Sequence, residues 1–107
     1  MKSPRILYIT TETTEEARRI GNKLVKEELC ACANIIKEME SIYRWEGELQ
    51  NDTECILLIK TTSDKVDAVT EEVLKLHSYD VPCVISLPLS PEEGNREYLD
   101  WIADSVK

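Results

Sequence analysis

Residues 55–59 read Cys55-Ile56-Leu57-Leu58-Ile59, an unbroken apolar run. Neighbours along a strand point to opposite faces, so a run that is apolar at both parities suits a central strand covered on both sides. Upstream, Gly47 and the polar Gln50-Asn51-Asp52 interrupt the apolar pattern. Before them, Ala31, Ala33 and Ile35 alternate with Cys30, Cys32, Asn34 and Ile36. That alternation predicts a strand from residue 30 to about Trp45, joined to the central run as a long hairpin.

Nearer the start, Ile6-Leu7-Tyr8-Ile9 is β-prone and is bounded by Pro4 and a Thr-rich turn, which predicts a first strand over 5–11. Thr13 and Glu16 have capping-box spacing. Ala17, Ile20 and Leu24, with Val25 and Leu29 more loosely, then repeat at helical period and predict a helix over 14–29 despite Gly21. Past the central run, Ser63 or Asp64 can cap a second helix carrying Val66, Val69, Val73 and Leu76 and ending near His77-Ser78. Pro82 precedes a fourth strand at 84–87. Tyr98, Trp101 or Ile102, and Val106 are spaced for one face of a terminal helix.

The order βαββαβ plus a helix predicts an α+β fold, a ferredoxin-like sandwich with an additional C-terminal helix, in which two helices cover one face of a four-stranded antiparallel sheet. The second face of the central run must also be covered, by the last helix or by another subunit. No repeat, low-complexity tract or linker divides the chain, so residues 1–107 are expected to form a single domain.

Asp and Glu number 21 against 13 Lys and Arg, a net charge of −8, which argues against nucleic-acid partners and makes cations the more natural small ligands. The same carboxylates also serve as an ordinary solvated surface. No stretch approaches the roughly 18 apolar residues of a membrane span, and the opening MKSPRILYITTE lacks the apolar core of a signal peptide. A cytoplasmic location without a membrane partner is expected. Cys30, Cys32, Cys55 and Cys83 are then expected to be free thiols.

The single histidine, His77, precedes Cys83 by six residues. As nucleophile and base the pair would need mutual contact and an orienting third group, and no nucleophile-elbow or protease-like signature surrounds either, so no enzyme is expected. As ligands, imidazole and thiolate suit copper or zinc, although no CxxC pair or second histidine closes a site. Cys32 is a third candidate ligand; Cys30, Cys32 and Cys55 equally suit plain packing, since free cysteine is a commonly buried residue. Gly21, Gly47 and Gly94 fit no phosphate-loop frame. Thr10-Thr11-Glu12-Thr13 stands where an acylphosphatase-like enzyme would carry an arginine-bearing loop. Tyr43, Trp45, Tyr79, Tyr98 and Trp101 suit subunit contacts or a small-ligand cleft.

The strings ACANII at 31–36, SIYRWEGEL at 41–49, IKTT at 59–62, HSYDVP at 77–82 and NREYLDWI at 95–102 together resemble the signature of the CutA divalent-cation tolerance family, across nearly the whole chain. The resemblance implies a homotrimeric, PII-like architecture in which long hairpins of neighbouring subunits pair. It also implies binding of copper or other divalent cations, with no required cofactor, through a strand-one cysteine and adjacent histidines. Here the cysteine position falls at Thr10, the histidine pair is Leu76-His77, Ser78 replaces the usual proline, and Cys83 replaces a common glutamate. The ligand set expected for this chain is therefore His77 with Cys83 or Cys32. The alternative is a PII-like signalling or interaction trimer that binds an effector or protein partner in intersubunit clefts lined by Trp45, Glu54, Lys60 and Tyr79.

Overall fold

In a computed structural model, which describes residues 2–107, the apolar run lies within the longest strand. In chain order the elements are β1 (Pro4–Thr11), α1 (Thr14–Lys26), β2 (Cys32–Trp45), β3 (Glu48–Thr62), a 3-10 turn (Ser63–Lys65), α2 (Val66–Leu76), β4 (Val84–Pro88) and α3 (Arg96–Ser105). The sheet order is β2-β3-β1-β4, with all pairings antiparallel. This is the expected split-βαβ sandwich with its additional C-terminal helix.

Strand alternation divides the sheet's side chains. Leu7, Ile9, Leu57 and Ile59 form one core with Ala17, Ile20 and Leu24 of α1 and Val69 and Val73 of α2. Close packing of α1 on β2 and β3 depends on Gly21, where a Cβ would come within 3.1 Å of Ala33 Cβ and 3.5 Å of Leu57 Cδ1. The opposite face carries Ile6, Tyr8, Ile56 and Leu58. There α3 covers one end of the sheet, burying Ile102 and bringing Tyr98 to Lys60, while Ile36, Ile85 and Leu87 stay about half exposed.

Beyond Cys55 the hairpin leaves the body. Thr11 pairs with Cys55 at the end of β1, so the outer halves of β2 and β3 pair only with each other, as an arm. A register irregularity between Ile36 and Met39, with Glu38 at φ 59°, marks where the arm begins. Its tip is the two-residue turn Glu46-Gly47, both at positive φ, the geometry that matches strand twist and favours glycine.

Several boundaries differ from the sequence reading. α1 ends at Lys26, not 29, because Glu28 turns into the left-handed region (φ 58°) and the Leu29 amide bonds back to the Leu24 carbonyl. β2 therefore starts at Cys32, with Cys30 buried in the turn before it. The capping box is half formed: Thr13 Oγ1 accepts the Glu16 amide at 3.1 Å, but the Glu16 carboxylate turns elsewhere. Neither Ser63 nor Asp64 caps α2; both belong to the 3-10 turn, where Asp64 accepts the Thr62 hydroxyl at 2.6 Å.

Candidate functional site

The ends of β1 and α2 meet around two buried polar side chains. Glu16, 5% exposed, accepts the Ser78 amide at 2.7 Å and the Glu12 amide at 3.2 Å. Burial pushes its carboxyl up, but the Ser78 amide and hydroxyl, the Glu12 amide and the nearby His77 together outweigh it and hold the group below the usual carboxylate range. His77 Nε2 lies 2.7 Å from the Thr10 carbonyl oxygen, which can only accept, so Nε2 carries the hydrogen. Nδ1 then accepts the Tyr79 amide at 3.1 Å and lies 3.7 Å from Glu16 Oε2. With its side chain fully buried and both ring nitrogens bonded to backbone, His77 ties residues 77–79 to β1.

That tie positions Tyr79, whose ring packs on the His77 ring with centroids 4.7 Å apart. The Tyr79 hydroxyl donates to Glu54 Oε2 at 2.8 Å, joining the loop after α2 to the arm of β3. Burial, followed by this carboxylate, raises the hydroxyl's pKa. Between loop and arm lies a cleft of about 370 Å³ lined by Tyr43, Trp45 and Glu54 from the arm and by Tyr79, Asp80 and Cys83 from the loop, with Thr10 at its base. Burial raises the Cys83 thiol's pKa; a hydrogen bond with Thr10 lowers it and the Glu54 charge raises it further. Cys83 is therefore a protonated thiol at neutral pH.

The cleft thus assembles Trp45, Glu54, Tyr79 and Cys83, but not Lys60 or Cys32. Cys32 opposes Lys60 across the β2–β3 ladder, whereas Thr10 opposes Ile56. Four strand positions, about 13 Å, separate the two places. Lys60 instead donates to the Tyr98 hydroxyl at 3.1 Å, in a separate groove of about 450 Å³ beside α3. Among the described residues, no three His, Cys, Asp or Glu side chains converge as a ready-made metal centre. No sequence pattern marks Asp80, and the sequence marks Glu16 only as a helix cap. Their roles depend on contacts distant along the chain, such as Glu16 with Ser78.

Two helices on one face of the sheet, a projecting hairpin and an acidic, aromatic cleft between that hairpin and the loop after α2 define a small α+β domain of the ferredoxin-like class. The chain belongs to the CutA family: residues 5–105 match the family model described as CutA1 divalent ion tolerance protein. It is 46% identical over 101 residues to the divalent-cation tolerance protein CutA of Thermus thermophilus, spanning 94% of this chain and 96% of that protein. It is 42% identical to the chloroplastic protein CutA 1 of Oryza sativa, over 95% of this chain but 56% of that longer protein. The crystal structure of CutA1 from Oryza sativa matches with a TM-score of 0.93 at 41% identity, covering 98% of this chain and 94% of that one. No described helix is long and apolar enough to cross a membrane.

Proposed function

We propose that this chain serves divalent-cation tolerance as a cytoplasmic homotrimer, a single-domain binding protein and not an enzyme, that takes copper and other divalent ions weakly at the cleft. The observation that carries this reading is that Cys83 and Glu54 line the same cleft. A thiolate suits copper and a carboxylate suits harder divalent ions, so the pair accepts a range of cations. His77 acts here as a positioning residue, because its ring nitrogens are both committed to backbone. For the same reason it offers Cys83 no general base, which favours binding over catalysis.

Trimerisation is supported by the arm, where Ile42 is 66% and Leu49 72% exposed on strands with bare outer edges. Such edges invite pairing with another copy. The aromatic lining of the cleft favours a second reading, an interaction or signalling trimer of the PII kind that takes a small effector there.

Calorimetric titration with copper(I) in reducing buffer tests the first reading. Affinity is expected to rise about tenfold per pH unit across neutrality, because binding displaces the thiol proton. An imidazole ligand would instead level off above about pH 6.5. A flat profile, or a monomer mass by light scattering where three times the chain mass is expected, contradicts the proposal.

A further inference from the structure

The cleft contains more than a bare metal ion can use. Tyr43, Trp45 and Tyr79 give it aromatic walls, Glu54 and Asp80 supply carboxylates, and no lysine or arginine lines it among the described residues. Its volume of about 370 Å³ falls at the small end of the range typical of organic-ligand pockets. A hydrated divalent ion gains little from the rings. A phosphate-bearing effector would find no guanidinium or ammonium from this chain to pair with and would face two carboxylates.

A cation with an apolar body satisfies both parts of the lining: carboxylates answer its charge, and aromatic faces attract its polarised alkyl groups. The walls are also restrained before any ligand arrives. Tyr79 is held at its amide by His77 and at its hydroxyl by Glu54, while the Tyr43 hydroxyl donates to Asp52 across the hairpin. Aromatic side chains fixed in this way lose little freedom on binding.

We propose that the cleft between the hairpin arm and the loop after α2 is a binding site for small organic ammonium cations of the trimethylammonium type. The site shares its place with the metal reading but does not depend on metal ligation. The ammonium carbons lie against Trp45, Tyr43 and Tyr79, and Glu54 and Asp80 balance the charge.

The test is calorimetry on the intact, assembled protein, with choline as the cationic probe. Its neutral carbon isostere 3,3-dimethylbutan-1-ol, ATP and copper(I) are titrated separately. Choline is expected to bind saturably, the isostere about tenfold more weakly, and ATP not measurably. Glu54→Gln is expected to weaken choline severalfold and leave the isostere unchanged. Equal affinities for choline and the isostere, tighter binding of ATP, or no saturation by choline would overturn the inference. Copper binding without choline binding defeats this inference alone. Choline binding without copper binding supports it and defeats the metal reading.

Discussion

Leu57→Ala is expected to remove about 3 kcal/mol of stability, within the range of about 2–5 kcal/mol for truncating a buried leucine. Leu57 is fully buried at the centre of β3, with Ile9 opposite it on one side and Ile35 on the other. Both neighbours are fixed by ladder hydrogen bonds, and α1 is already as close as Gly21 allows. The surroundings therefore cannot collapse into the space, and the cavity cost adds to the lost transfer energy. A domain of this kind has about 5–15 kcal/mol in total, so the loss is a large fraction of it. Urea unfolding at fixed protein concentration should show a lower midpoint with an unchanged slope. Leu49→Ala, at an exposed arm position, should leave the same midpoint within about 0.5 kcal/mol if the subunits are kept apart by dilution. A loss at Leu57 no greater than that control would contradict the central placement of β3.

Glu16→Ala is expected to cost about 2 kcal/mol near pH 7, because the part-buried hydrogen bonds from the Ser78 and Glu12 amides lose their charged acceptor. The effect should depend on pH in a definite direction. The folded-state pKa of this carboxyl lies below its unfolded value of about 4.3, so its stabilisation is fully present above that value and is lost as pH falls through the folded pKa. Melting curves of wild type and variant should therefore be well separated at neutral pH and converge in acid. A separation that stays constant from neutral to strongly acid pH would show that Glu16 acts through packing alone. The variant should also disturb the cleft, since Ser78 adjoins the residue whose hydroxyl holds Glu54.

Much of the fold was legible because its signals are periodic and local. The apolar run at 55–59, the stripe at Ala17, Ile20 and Leu24 and the break at Gly47 each place an element by their spacing. The end of α1 was not legible, because the turn there uses Glu28 in a conformation usually marked by glycine. The cleft was half legible. Trp45, Glu54, Tyr79 and Cys83 meet there, but whether Lys60 and Cys32 join them depends on register in the sheet, which local sequence does not encode. For His77, residue type alone suggested a ligand. Its commitment to the Thr10 carbonyl and the Tyr79 amide follows from bringing β1 against the end of α2.

The proposal that cations meet this chain through Cys83 is tested most directly by cobalt(II) spectroscopy under anaerobic, thiol-free conditions. A thiolate bound to cobalt gives a sulfur-to-metal charge-transfer band that carboxylate or imidazole ligation does not. The band is expected to develop in the wild-type protein, to be absent in Cys83→Ser and to persist in Cys32→Ser, whose position lies beside Lys60 and away from the cleft. A band that survives Cys83→Ser, or that disappears with Cys32→Ser, would contradict the account.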